Sequence, residues 1–117
     1  MSEDVLNLPE FLDRVQDDKE LLLELFDIYQ EDYKEKRELL GKAIEEKNTE
    51  EVHHIAHSLK GSSGNISANQ IRESFLKLET MGKEGDLSAA ADTLAAADQE
   101  YESLAQRIDE VRSEMQS

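Results

Sequence analysis

Between about residues 18 and 47, apolar side chains recur at steps of three and four: Leu22, Leu25, Phe26, Tyr29, Tyr33, Leu40, Ala43 and Ile44. That period lines one face of an α-helix, whereas a half-buried strand needs alternation at every second residue. Asp17 and Glu20 have the spacing of an N-terminal capping box and mark where the helix opens. Gly41 weakens it by about 1 kcal/mol relative to Ala and permits a bend. Asn48-Thr49 ends it and caps the next helix. A long helix with a single apolar face needs other helices to cover it.

The remaining sequence supplies them. Asn7 and Glu10 repeat the capping-box spacing, with Pro9 in the first turn, and open a short helix over about 8–16 carrying Leu8, Phe11, Leu12 and Val15. It is too short to stand alone and is expected to lie as a lid on the others. Val52, Ile55, Ala56, Leu59 and Ser63 share one face of a helix over 49–64, which Gly64-Asn65 breaks. Ser67 is placed to cap a helix over 68–82 that buries Ile71, Phe75 and Leu78. Gly82-Lys83-Glu84-Gly85 reads as a turn, and Asp86 as the cap of a last helix over 87–115. That helix carries Leu87, Ala90, Leu94, Ala97, Tyr101, Leu104, Ile108, Val111 and Met115 at nearly heptad spacing, with an Ala-rich middle that allows close approach. No segment sustains a period of two, so no sheet is expected. The short connections predict an all-α, single-domain chain over 1–117: an antiparallel up-down-up-down four-helix bundle with a short N-terminal lid helix.

Charge and composition limit what such a bundle does. The net charge is -15, from 13 basic and 28 acidic residues, which repels nucleic-acid phosphates and anionic lipid. Acidity of this kind often means disorder, but here the apolar residues are periodic rather than scattered. There is no cysteine, hence no disulfide framework and no thiolate nucleophile. Met1-Ser2-Glu3-Asp4 is polar, and no apolar run approaches the ~20 residues of a membrane span. A cytoplasmic location, no membrane insertion, no nucleic-acid partner and a monomeric state are therefore expected.

One cluster stands apart from the packing pattern. At roughly 100° per residue, His53, His57, Lys60 and Gly64 fall about 110° from the apolar stripe of their helix, with Gly61 a little further round. His57 is therefore expected on a flank, reaching solvent. Lys60 lies at i+3 and Gly61 at i+4, so both neighbour it. A nearby ammonium disfavours protonation of the imidazole and would offset an anionic group attached to it. Gly61 and Gly64 leave room for a partner's backbone, although Gly64 equally serves simply to end the helix. No catalytic partner for His57 is evident elsewhere in the chain. His53 and His57 are also one turn apart, a spacing that binds zinc in HExxH helices, but position 54 is His54 rather than Glu and no third ligand is evident. No metal or cofactor is expected on this chain. There is no GxxxxGK[ST] loop either, so phosphorylation from ATP by this chain alone is not expected.

The run Ala56-His57-Ser58-Leu59-Lys60-Gly61-Ser62-Ser63-Gly64-Asn65-Ile66 resembles the signature of bacterial histidine-containing phosphotransfer (HPt) domains. Phe11-Leu12-Asp13-Arg14-Val15, the leucine-rich opening of the second helix, Leu78-Glu79 and Gly85-Asp86 extend the likeness over nearly the whole chain. The chain departs from the pattern at Ser67, where many members carry Gly, a position that shapes the helix-to-helix turn. The resemblance implies a phosphocarrier in a two-component phosphorelay. His57 would accept a phosphoryl group from a receiver-domain aspartate and pass it to another receiver, with Lys60 as electrostatic support. Gly61, Gly64, Ser58 and His53 would face the docked partner, and Ser58 and Ser62 could add hydrogen bonds to phosphoryl oxygens. It further implies response-regulator receiver domains as partners, a hybrid sensor histidine kinase among the candidates, and Mg2+ held by the receiver. Two other readings stand beside this one: the phosphotransfer module of a chemotaxis-type histidine kinase, fed by a kinase catalytic domain, and a non-catalytic helical interaction bundle, for which His57 would be dispensable.

Overall fold

The computed structural model describes residues 5–116, so Met1–Asp4 and Ser117 lie outside the described residues. Among the described residues five helices follow in order: α1 Leu8–Arg14, α2 Lys19–Glu45, α3 Thr49–Asn65, α4 Asn69–Glu84 and α5 Ala90–Gln116. No strand occurs among the described residues. At 1.5 Å per residue a helix the length of α2 or α5 spans roughly 40 Å, and these two set the long dimension of a body measuring 46 × 22 × 20 Å.

Local sequence fixes most helix ends. Asn7 accepts a hydrogen bond from the Glu10 amide at 3.2 Å and Asn48 one from the Glu51 amide at 3.2 Å, satisfying amides that the first turn leaves unpaired. Three junctions that differ from expectation share one cause, a residue in the left-handed region that closes the preceding helix. Asp17 (φ 62) donates its amide to the Leu12 carbonyl at 2.8 Å, so it completes α1 and cannot take the extended conformation of an N-cap. The cap of α2 is Asp18, which accepts from the Leu21 amide at 3.0 Å. Lys47 (φ 56) likewise stops α2 at Glu45. Ser67 (φ 62) donates its amide to Gly64 at 3.0 Å, closing α3, and the N-cap of α4 is Ala68, with no side-chain bond.

The expected turn at 82–85 is shorter than its glycines suggest. The helix continues to Glu84, and only Gly85 (φ 76) adopts the left-handed conformation that favours glycine. Gly82 instead lies buried within α4, where an added Cβ would sit 2.5 Å from the His53 amide nitrogen and 2.8 Å from the Thr49 carbonyl oxygen. Its missing side chain is what lets α3 and α4 approach backbone to backbone. Asp86 holds the Ser88 amide at 3.1 Å, so it organises the turn before α5 rather than capping a helix at 87.

Helix α3 packs on α2 and α4, and α5 packs on α4 and returns to α2. The core between them contains Phe11, Leu22, Phe26, Leu40, Val52 and Leu59. It is continued by Ile71, Phe75, Leu78, Leu104 and Ile108, all of which are buried. Tyr33 stacks on Tyr101 at 3.8 Å between ring centroids, joining α2 to α5. The Tyr29 hydroxyl bonds Ser63 Oγ at 2.9 Å across the α2–α3 contact. Burial, chiefly, pushes the Tyr29 and Tyr33 hydroxyls well above the usual phenol range, so both stay neutral. These contacts hold α3 rigidly on its apolar side and leave its opposite flank to solvent.

Candidate functional site

The helical period that buries Val52, Ala56 and Leu59 turns His57 outward, and its side chain is 65% exposed. It is not unsupported. Glu79, on α4, places Oε2 2.7 Å from His57 Nδ1 and Oε1 2.7 Å from Lys60 Nζ. One carboxylate therefore bridges the histidine and the lysine, and its own side chain is only 13% exposed. Burial opposes ionisation of Glu79, but hydrogen bonds from Lys60 and His57, together with the attraction of both, outweigh it and hold the carboxyl below its usual range. An ionised carboxylate only accepts, so His57 Nδ1 carries the proton and donates it. In the neutral ring the lone pair then lies on Nε2, for which no partner is found among the described residues.

This geometry changes the expected part of Lys60. Its ammonium is tied to Glu79 and only 21% exposed, so its field at the imidazole is offset by the carboxylate between them. His57 thus has a partner from its own chain, which the sequence alone did not reveal. Glu79 is 22 residues away, and only the packing of α4 on α3 brings it to the ring. Its one sequence signal was its place beside Leu78 in the HPt resemblance.

The other candidates divide. His53 Nδ1 donates to the Glu79 carbonyl oxygen at 3.2 Å, and its ring lies 6.5 Å from that of His57. Glu79 thus takes a bond from each of the two histidines, one at its backbone and one at its side chain. Among the described residues no group of three or more His, Cys, Asp or Glu is arranged to hold a metal ion. Gly61 has no heavy atom within 4 Å of where a Cβ would stand, so no contact within the chain accounts for it. Gly64 does meet its own chain: Arg72 Cδ and Nε lie 3.3 Å from its Cβ position. Ser58 Oγ accepts from Lys36 Nζ on α2, and Ser62 Oγ donates to the Leu59 carbonyl at 3.2 Å. Lys36, Arg14 and Arg72 join the surroundings of the site without having been singled out by spacing. Arg14 Nη1 donates to the Gly64 carbonyl at 3.1 Å and ties α1 to the end of α3.

Chemically, the cluster offers an exposed imidazole with a fixed tautomer, a carboxylate behind it that can balance positive charge on the ring, and a lysine one turn on. It offers a nucleophile and leaves the electrophile to another molecule.

Comparison with known proteins gives the family and the fold. The family model described as Hpt domain matches residues 24–114. The fold is similar to the crystal structure of histidine-containing phosphotransfer protein B from Pseudomonas aeruginosa PAO1, with a TM-score of 0.79 and 23% identity over 92% of this chain and 90% of that one. A search of curated proteins returned no match.

Proposed function

The chain belongs to the Hpt domain family, and is thereby a histidine phosphotransfer module of a phosphorelay; from that premise we propose that His57 is its phosphoacceptor. The observation that carries the assignment is the 2.7 Å contact between Glu79 and His57 Nδ1, which leaves the nucleophilic lone pair on the exposed Nε2. Nε2 attacks the phosphorus of a receiver's aspartyl phosphate. The P–N bond forms as the P–O bond to the aspartate breaks, and the bonding electrons stay on the departing carboxylate. No proton needs to move, because the ring keeps its Nδ1 proton and becomes cationic, and Glu79 balances that charge. Transfer to a second receiver is the same step reversed. Phosphoryl transfer depends largely on positioning and charge neutralisation, so a carrier of this kind can leave Mg2+ and most of the machinery to the receiver.

In this reading Lys60 acts from the rim, held by Glu79 until a phosphoryl group arrives to compete for its ammonium. Gly61 gives clearance to the receiver's backbone, while His53 fixes Glu79 rather than touching phosphate. The ring of contacts α2–α3–α4–α5 and the short connections support an antiparallel up-down-up-down bundle, with α1 as a lid bonded to the α3–α4 turn through the Asn7 amide and Ser67 carbonyl. Residues 1–117 form a single domain in this account. It acts as a monomer in the cytoplasm, with receiver domains as donor and acceptor. No helix among the described residues is long and apolar enough to cross a membrane.

The test is transfer from a receiver domain phosphorylated on its aspartate. His57→Gln should take no label while its circular dichroism and melting match the wild type, and the wild type with MgATP alone should stay unlabelled. A His57→Gln protein that accepts phosphate at the wild-type rate would exclude His57 as the acceptor.

A further inference from the structure

In a chain of net charge -15, three cations converge on one shallow hollow of about 400 Å³ beside the histidine flank. Arg14 reaches it from α1, Lys60 from α3 and Arg72 from α4, over a floor formed by Gly61 and Gly64. The rest of the lining is two amides, Asn65 and Asn69, and no carboxylate. The bland account, that these cations serve the fold, covers Arg14 through its bond to Gly64 and covers Lys60 through Glu79. It does not cover Arg72. That guanidinium pairs with the adjacent residue Glu73, 3.5 Å away with both side chains exposed, and Arg14 is 3.6 Å from Glu10 in a similar setting. Exposed pairs this long contribute little, and a guanidinium carries five N–H donors. Gly64 lets the Arg72 side chain lie across the end of α3, since a Cβ there would be 3.3 Å from Arg72 Cδ and Nε.

We propose that this hollow docks an acidic segment of the receiver surface, at the rim of the aspartyl phosphate it delivers, and that Arg72 sets which receivers engage His57 productively. The proposal rests on the carrier reading above and adds to it the chemistry of the partner. Most of this molecule's surface repels an acidic approach, so a local cationic hollow one turn from the nucleophile both admits such a segment and orients it. A basic partner segment would be drawn to the acidic faces instead. Arg72 is thus a specificity-determining residue that does not touch the reacting atoms.

The experiment is single-turnover transfer from a receiver phosphorylated with acetyl phosphate and chosen because it labels the wild-type chain. It is run at about 0.01 M and about 1 M ionic strength, where the Debye length is roughly 30 Å and 3 Å. Arg72→Glu should lower the apparent second-order rate constant about tenfold at low salt and leave the rate at saturating receiver unchanged; the deficit should close at high salt. Arg72→Lys should stay near wild type and Arg72→Gln should fall between, all with wild-type melting. An Arg72→Glu protein with the wild-type rate constant and salt slope overturns the proposal, as does a loss confined to the saturating rate. Failure of the carrier reading looks different, because then label on the chain survives His57→Gln.

Discussion

Glu79 Oε2 stands 2.7 Å from His57 Nδ1, so an acid on α4 decides which nitrogen of a histidine on α3 is free to react. The same carboxylate holds Lys60 at 2.7 Å, and the Glu79 backbone carbonyl takes the proton of His53 Nδ1. Three side chains of one helix are thereby oriented by a single residue of its neighbour. In the proposed transfer, the contact between the two helices is part of the chemistry rather than only its scaffold.

Removing that carboxylate should therefore slow transfer without removing the acceptor. A charge-assisted hydrogen bond is worth about 1.5–3 kcal/mol, and the exposure of His57 puts this one at the lower end. Glu79→Ala is expected to lower the transfer rate about tenfold, at 1.4 kcal/mol per decade. Glu79→Gln, which can still accept from Nδ1 but cannot balance a cationic ring, should fall between. Rapid-quench measurement of the labelled chain decides it, and equal rates for wild type and Glu79→Ala would show that the ring needs no such support.

The same contact sets an acid limit on stability. The folded carboxyl of Glu79 lies below its ordinary value, so its contribution is present above the unfolded value of about 4.3 and is lost as pH falls through the folded one. Urea unfolding of wild type and Glu79→Gln should differ by about 1–2 kcal/mol near neutrality. That gap should narrow steadily below about pH 4.3. A gap of constant size down to pH 3 would show that the carboxylate stabilises nothing by being ionised.

The long elements were legible in the sequence because burial is written into their period. Leu22, Phe26, Tyr29, Tyr33 and Leu40 are all buried in the structure, as their spacing implies. Helix ends were less legible, since Asp17 and Asp18 are both good caps and only the closure of α1 onto Leu12 chooses between them. A glycine near a helix end reads as a turn, whereas the use of Gly82 depends on α3 lying against it. His57 and Lys60 announce themselves through local spacing. Glu79, Arg14 and Arg72 do not, because what they touch is set by tertiary packing.

Ser67 shows a local rule broken at a definite cost. A non-glycine residue at φ 62 costs roughly 1–2 kcal/mol, and its buried Oγ has no hydrogen-bond partner, which adds to the penalty. Replacement by glycine relieves both and returns about 0.5–1 kcal/mol through greater freedom of the unfolded chain. Ser67→Gly should thus stabilise the protein by about 1 kcal/mol, read as a higher urea midpoint at unchanged slope. A lower midpoint would mean that the hydroxyl packs usefully in the α3–α4 turn.

Two glycines on facing helices should respond in opposite ways to the same substitution. At Gly82 an alanine Cβ would meet the α3 backbone at 2.5 Å, which nothing but separation of the helices relieves. Overpacking of this kind costs about 1–3 kcal/mol and, by shifting α4, would also draw Glu79 from His57. At Gly61 an alanine Cβ meets nothing within 4 Å, and replacing a mid-helix glycine gains about 1 kcal/mol. Gly61→Ala should accordingly melt higher than wild type yet accept phosphate more slowly, because in the proposed docking the added methyl would stand where the receiver's backbone approaches. Gly82→Ala should melt lower and also transfer more slowly. The discriminating pair of measurements is melting temperature and transfer rate on Gly61→Ala: a gain in stability with an unchanged rate would leave the glycine beside His57 without a role in docking.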